Sequence, residues 1–307
     1  MNPEQNTTVL VTGGRGFIGR SLVKLLQREE YRVISIDTEL PAAAGDAGCT
    51  ELFGHICDTV HMEQLFQRER IDGIVHLAAI LPTEARRNPS SATIVNIHGS
   101  HMLLDLAKKS GVRRFVFGSS LSVYGSCVAD QIVSENDRTA PEDLYGSAKV
   151  YVEQLGQAYR QAHGIDFVSL RIGRVVGAGS RSLTSAWRSG IFESLSSDRP
   201  MEIELPYAGS ERILIVHVED VARMLCTLLS SPRPAHGLYN AVCESVVVDE
   251  LKHEIERLNP RLHVKLGGEA VVGNPRRVDF SRFAGEFDFR TTPIFEQIAT
   301  VAGGDAR

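Results

Sequence analysis

The chain has 307 residues, 38 acidic and 33 basic side chains, a net charge of -5 and an apolar fraction of 43%. A chain of this length buries a substantial core, and its 27 Gly and 12 Pro are too few for a collagenous or low-complexity polymer. The acidic balance, with Lys and Arg spread along the sequence, excludes the basic footprint of a nucleic-acid binder, and no stretch approaches the roughly 18 apolar residues of a membrane span.

Met1 to Thr8 is polar, with no basic flank before an apolar run, so no secretory signal is expected. The five cysteines, Cys49, Cys57, Cys127, Cys226 and Cys243, are odd in number, far apart and without a CxxC pair, which fits a reducing, cytoplasmic setting. Val9-Leu10-Val11 then reads as a strand, the amphipathic Leu22, Val23, Leu25 and Leu26 as a helix, and Arg32 to Ile36 as a second strand. Ile74-Val75-His76-Leu77 reads as the next strand, Val95 with Met102, Leu103 and Leu106 as a helix stopped by Gly111, and Phe115-Val116-Phe117 as the strand after it. A helix over 144–162 and a strand over 166–170, about the sixth of the sheet, complete the alternation. This order predicts an α/β fold of Rossmann type, a doubly wound parallel sheet.

Past Gly177 the pattern changes to a Ser- and Arg-rich stretch over 180–189, an apolar run from Ile213 to Val218, a helix from Val221 to Leu229 and turns at Pro232 and Pro234. Leu238 to Val242 reads as a strand able to return to the main sheet. The expected organisation is a dinucleotide-binding domain over 1–175, with a returning segment near 210–245, and a smaller, interleaved substrate-binding lobe over 176–307.

Thr12-Gly13-Gly14-Arg15-Gly16-Phe17-Ile18-Gly19 follows the first strand and opens the first helix. Glycines at 13, 16 and 19 permit a tight turn, let backbone N–H groups approach a pyrophosphate and seat the helix on the strand. Asp37 closes the second strand 18 residues past Gly19, where a carboxylate accepts from the adenosine ribose 2′-hydroxyl and repels a 2′-phosphate. Together they predict dinucleotide binding and NAD over NADP. Arg15 is the one loop residue that could serve a 2′-phosphate, and it reads otherwise as a solvated charge.

Tyr145 and Lys149 lie four apart and share a helix face. An ammonium nearby and a positive nicotinamide ring both favour a tyrosine phenolate, which would then act as a base. Ser119-Ser120 follows the strand over Phe115 to Phe117, at the sheet end where doubly wound folds carry their sites, and Ser120 is the candidate to hydrogen-bond the reacting oxygen. His55 and His61 fit no metal-ligand spacing, so no metal is expected, and His217 reads as a core histidine.

This ordered set resembles the extended short-chain dehydrogenase/reductase family, in particular its NAD-dependent sugar epimerase/dehydratase group. The resemblance runs through Asp58, His76-Leu77-Ala78-Ala79, Asn96, Ser119-Ser120 with Val123-Tyr124-Gly125, Tyr145 with Lys149, Leu170-Arg171 and Val216 to Ala222, and weakens after Gly268. It implies a cofactor site of Gly13, Gly16, Phe17, Ile18, Gly19, Asp37, Asp58 at the adenine, Leu77, Ala78 and Ala79 along the channel, Asn96, Ser119, and Tyr145 with Lys149 at the nicotinamide ribose. It implies a catalytic triad of Ser120, Tyr145 and Lys149, and a homodimer through a four-helix interface. Leu121 and Ser122 stand where the family's 4,6-dehydratases carry an Asp-Glu pair, and Ser122 where its uronate decarboxylases usually carry Glu, so both eliminations are disfavoured. A small hydroxyl residue two past Ser120 is similar to the 4-epimerases and equally compatible with simple dehydrogenases.

Two positions depart from the group's pattern. Arg171-Ile172-Gly173-Arg174 replaces a segment whose last residue is an asparagine at the nucleotide diphosphate, and Ile213 falls at the register of a later arginine, with Arg212 one residue early and so facing the other way. Arg174 could take a phosphate or a sugar-acid carboxylate in its guanidinium fork. The run from Arg181 to Arg188, with Trp187, adds candidates that read equally as surface charges. The expectation is an NAD-dependent enzyme acting on a sugar, first a nucleotide-sugar 4-epimerase, with substrate contacts from Ser120, Ser122, Tyr145, Arg174 and Arg188. The alternatives are a net dehydrogenase of a sugar or sugar acid, and a non-catalytic NAD sensor.

Overall fold

The computed structural model describes residues 7–40, 48–127, 131–180 and 186–303. The first half alternates β1 (Thr8–Thr12), α1 (Phe17–Arg28), β2 (Arg32–Asp37), β3 (Cys49–Phe53), α2 (Thr59–Arg68), β4 (Gly73–His76), the short α3 (Pro82–Arg87) and α4 (Pro89–Thr93), a π-helical turn Ile94–Gly99, α5 (Ser100–Lys109) and β5 (Arg114–Ser120). A 3₁₀ turn Leu121–Tyr124, β6 (Ile132–Val133), α6 (Leu144–His163), β7 (Asp166–Ile172), β8 (Arg174–Val176) and α7 (Ala186–Ser194) follow. The chain ends with β9 (Met201–Tyr207), β10 (Arg212–His217), α8 (Val218–Ser230), β11 (Leu238–Asn240), β12 (Glu244–Val247), α9 (Val248–Leu258), β13 (Leu262–Glu269), β14 (Arg277–Val278), α10 (Ser281–Phe287) and α11 (Ile294–Ala302).

Seven strands form a parallel sheet in the order β11-β7-β5-β4-β1-β2-β3. The chain winds outward from the centre in both directions, so the crevice beyond the carboxyl ends of β1 and β4 is the switch point where such sheets bind ligands. The doubly wound expectation is met. Edge strand β3 has no counterpart in the sequence reading, because Cys49-Thr50-Glu51-Leu52-Phe53 is largely half-exposed and carries no clean apolar alternation.

Strand alternation divides the buried side chains into two layers. Val9, Val11, Val75 and Val116 face one way, under α1 and α8, while Leu10, Ile74, Phe115 and Phe117 face the other, under α2, α5 and α6. A third core, around Trp187, Phe192, Ile213 and Ile215, belongs to the C-terminal lobe. There β10 pairs antiparallel with β12 and parallel with β8, and β9 pairs parallel with β13. The apolar run at Ile213 thus builds the lobe, whereas α8 packs on α1 and β11 joins β7 at the edge of the large sheet. Among the described residues no helix is long and apolar enough to cross a membrane.

Candidate active site

The turn between β1 and α1 consists of residues 13–16. Gly13 has φ +71°, and a Cβ there would come within 2.7 Å of the Ala78 amide nitrogen, so the left-handed backbone and the close approach both require glycine. At Gly19 a Cβ would lie 2.2 Å from the Gly13 carbonyl oxygen, which is how closely the helix seats on the turn. The N-cap, Gly16, offers no side-chain cap, so the N–H groups of the first turn, at Phe17, Ile18 and Gly19, have no side chain to satisfy them. These features fit a dinucleotide pyrophosphate.

Asp37, at the end of β2, accepts the N–H of Arg15 on one carboxylate oxygen (3.0 Å) and that of Glu39 on the other (3.1 Å), which fixes it at the lip of the crevice. Arg15 turns its guanidinium onto Glu51 of β3, at 2.9 and 3.0 Å, so its charge is already answered within the protein. The Asp37 carboxylate is therefore the charge left to face a 2′-phosphate at this position. Asp37→Ala is expected to shift the NADP-to-NAD ratio of kcat/KM upward by roughly tenfold or more, since a like-charge repulsion of about 1–4 kcal/mol disappears. An unchanged ratio would show that selectivity lies elsewhere.

The channel wall at Leu77, Ala78 and Ala79 is set by a chain of buried hydrogen bonds. Ala78 N–H donates to Thr12 Oγ1 (3.3 Å), which lies 2.6 Å from His76 Nδ1; His76 Nε2 lies 2.9 Å from Ser100 Oγ, and Ser100 donates to Asn96 O (2.8 Å). Burial draws His76 down to about 3, so the ring is neutral, and the chain of donors fits the Nε2–H form. Asn96 spends both ends of its amide on the Ile80 backbone, at 2.7 and 2.9 Å, which ties the π-helical turn to the segment after the wall. It lies in the π-helical turn, a distortion that recurs at functional sites. Asp58 caps α2 through the His61 N–H (3.0 Å).

Asp143 caps α6 through the Gly146 N–H (2.7 Å), which starts the helix one residue before Tyr145 and turns Tyr145 and Lys149 toward β5. Ser120, the last residue of β5, stands beside Tyr145 and favours its ionisation. Ser122 donates both its N–H (3.2 Å) and its hydroxyl (3.0 Å) to Ser120 Oγ, so the Ser120 proton remains for the phenol or a substrate oxygen. Lys149 is 4% exposed; its Nζ donates to the Gly118 carbonyl at 2.6 Å and lies 4.6 Å above the Phe117 ring and 5.3 Å from the Tyr145 ring.

Burial dominates both ionisations. It pushes Tyr145 up to about 12, with Asp143 adding to the rise, while Ser120 and the Arg188 cation act in the opposite sense. It draws Lys149 down to about 7 against the pull of Glu153. Desolvation is thus the largest influence on Tyr145, and Arg188 is the cation that eases its ionisation.

Ser119 alternates away from Ser120 and points into the sheet, where its hydroxyl donates to Glu153 (2.5 Å). Arg171 grips the same carboxylate at 3.0 and 2.7 Å and reaches Tyr124 Oη at 2.7 Å, and Tyr124 donates to Asn240 of β11 (2.8 Å). The sequence reading gave Glu153 no role, although its spacing of four from Lys149 on one helix face is a legible signal.

On the substrate side, Arg174 opens β8 and is 7% exposed. Its Nε donates to Tyr207 Oη (3.3 Å) and its Nη2 to Val272 O (3.5 Å), while Nη1 is buried without a partner. Arg188, on α7, also has a buried Nε without a partner. Burial and then the neighbouring Arg174 lower Arg188 to about 10, while Tyr207 and Tyr145 act the other way. The Arg188 guanidinium lies 5.6 Å from the Trp187 ring, which meets Tyr207 edge-on at 5.9 Å, and Arg174 lies 5.5 Å over Tyr207. Arg181 lies outside the described residues. Arg212 donates to Ser245 O (3.4 Å), and Ile213 is sealed in the lobe core. His217 is half-exposed and caps α8 through the Glu219 N–H (3.4 Å). Among the described residues no group of three or more His, Cys, Asp or Glu could hold a metal ion.

A phosphate cradle at the switch point of a doubly wound sheet, beside a Ser-Tyr-Lys cluster, is the architecture of NAD-dependent oxidoreductases and epimerases. The model of the NAD dependent epimerase/dehydratase family matches residues 9–241, and the chain belongs to that family. It is 27% identical to the mitochondrial L-threonine 3-dehydrogenase of Bos taurus over 269 residues, 86% of this chain and 71% of that protein. It is 34% identical to the UDP-glucose 4-epimerase of Lacticaseibacillus casei over 176 residues, covering 56% of this chain and about half, 52%, of the epimerase. The structure of MoeE5 in complex with UDP-glucuronic acid and NAD superposes with a TM-score of 0.80 at 27% identity, over 95% of this chain and 97% of that one. The protein is thus an enzyme that uses NAD.

Proposed function

We propose that this enzyme is a net dehydrogenase, oxidising a hydroxyl group of a sugar-like substrate that carries no nucleotide and releasing NADH with the carbonyl product. The observation that carries this reading is Ile213, buried in the lobe core where a nucleotide-sugar enzyme of the group would present an arginine to the diphosphate. An epimerase keeps hold of the nucleotide while the oxidised sugar turns over to expose its other face. Without that anchor the carbonyl product has no pivot, and leaving is the simpler course. The likeness to a dehydrogenase over 86% of the chain points the same way.

In this reading Tyr145 Oη accepts the proton of the substrate hydroxyl, and Ser120, whose lone pairs are occupied by Ser122, donates its hydrogen bond to the same oxygen. Lys149, held by Gly118 O, stands beside the phenol and the expected ribose position, where its charged form favours the phenolate. Bound at the glycine turn, NAD would supply the acceptor for the hydride leaving the carbon that bears the oxygen. Proton and hydride together leave a carbonyl, NADH and one released proton.

A second reading, 4-epimerisation of a nucleotide sugar, is favoured by Ser122 and by the likeness to the L. casei epimerase over the first half of the chain. A panel of free sugars, sugar acids, 3-hydroxy amino acids and nucleotide sugars, incubated with NAD, separates the two. NADH formed one-to-one with a carbonyl product is the expected result. An isomeric nucleotide sugar formed without net NADH would overturn the dehydrogenase reading.

A further inference from the structure

On the substrate side stand two guanidinium groups, Arg174 of β8 over the Tyr207 ring at 5.5 Å and Arg188 of α7 over the Trp187 ring at 5.6 Å, and those two rings meet edge-on at 5.9 Å. Like charges brought together out of water cost folding free energy unless something compensates them. Among the described residues no carboxylate does. Arg174 bonds only a phenol and a carbonyl, through Nε and Nη2, and no ion pair of either arginine is formed with a described Asp or Glu. Every other buried arginine near the sheet is answered: Arg171 by Glu153 and Arg114 by Asp166. The orphaned donors, Arg174 Nη1 and Arg188 Nε, are shut from solvent.

Resting on the dehydrogenase reading above, we infer that Arg174 and Arg188 form a carboxylate subsite, so that the substrate is a small hydroxy acid whose carboxylate and reacting hydroxyl belong to one compact molecule. A guanidinium supplies the paired N–H donors a carboxylate takes. Proximity to the chemistry argues for a compact acid over a distant diphosphate, because Arg188 acts on the ionisation of Tyr145 itself. Arg174 is held in place before any ligand arrives, by Tyr207 of β9 and by Val272 after β13, so the fork is preorganised. Clamping the reacting molecule by its own carboxylate also denies it the rotation that epimerisation needs.

Titration calorimetry on the NADH-loaded protein, which cannot oxidise the probe, tests the subsite independently of turnover. The probes are D-glucuronate, D-galacturonate and L-threonine, with D-glucose, inorganic phosphate and UDP-glucose for comparison. At least one carboxylate is expected to bind, with glucose and phosphate weaker by tenfold or more, and Arg174→Gln and Arg188→Gln each weakening that binding by at least about 30-fold. Each variant should melt, without ligand, at the same or a higher temperature than the parent, because a repulsion between buried cations is removed; a purely structural arginine would lower it. Preferential binding of UDP-glucose or phosphate, no carboxylate bound at millimolar concentration, or carboxylate binding unchanged in both variants would each overturn the subsite. If a carboxylate binds as expected but NADH never forms in the panel described above, the dehydrogenase reading fails while the subsite stands.

Discussion

Tyr145→Phe is expected to lower kcat by about 10²- to 10⁴-fold while leaving NADH affinity within a factor of a few. The phenol is the group able to take the substrate proton: Ser120 is committed as a donor by Ser122, and Lys149 is turned onto the Gly118 carbonyl. The substitution keeps the ring, and with it the 5.3 Å contact with Lys149, so packing changes little. The pH dependence gives a second readout. Burial raises Tyr145 to about 12, so the fraction present as phenolate grows with pH throughout the working range. In the parent, kcat/KM for oxidation should therefore climb on the alkaline side, at up to about tenfold per pH unit where this ionisation alone limits. Residual activity of the variant should lose that climb. Single-turnover NADH formation across pH 6 to 10 measures both, and a variant with parental rate and slope would remove Tyr145 from the chemistry and favour the NAD-sensing alternative.

Glu153→Ala is expected to cost about 3–5 kcal/mol of stability, because it strands the Arg171 guanidinium, 3% exposed, in the middle of the fold. At about 2.1 cal/mol/K of unfolding entropy per residue, the melting temperature of a chain this long should fall by roughly 5–8 °C. Ser119 loses its acceptor at the same time, and Lys149 loses the carboxylate that opposes its desolvation, so its ionisation falls further below about 7. Activity at neutral pH should drop along with stability. A companion variant separates these effects: Glu153→Leu combined with Arg171→Met removes both charges and should recover most of the stability without the activity. Calorimetry and kcat on the two proteins decide the matter. A single Glu153→Ala variant within about 1 kcal/mol of the parent would mean that water, and not Glu153, satisfies Arg171.

Local signals account for most of what the sequence reveals. The glycine turn, Asp37, Ser120 and the Tyr145–Lys149 pair are each read from neighbours or near-neighbours along the chain, and the structure brings them to one crevice. The strands that alternate cleanly, such as Val9-Leu10-Val11, are read the same way. What stays hidden depends on pairing between distant segments. Arg15 looks free for a 2′-phosphate until β3 is laid beside β2 and Glu51 meets it. Arg174 and Arg188 look like isolated charges until β8, α7 and β9 converge with Tyr207. The ionisation of Tyr145 is hidden for another reason: spacing shows the attraction between Tyr145 and Lys149 but not the depth of burial, the largest influence on the phenol.

The late return of α8 and β11 governs how the chain comes off the ribosome. When residue 175 emerges, six strands of the large sheet have been made, yet the layer of Val9, Val11, Val75 and Val116 still lacks the helix that shields it, and β7 remains an open edge. Some sixty residues of lobe must be synthesised before Val218–Ser230 and Leu238–Asn240 arrive to cover both. For that interval the nascent protein carries an apolar face and an unpaired strand, the two surfaces on which chains associate wrongly.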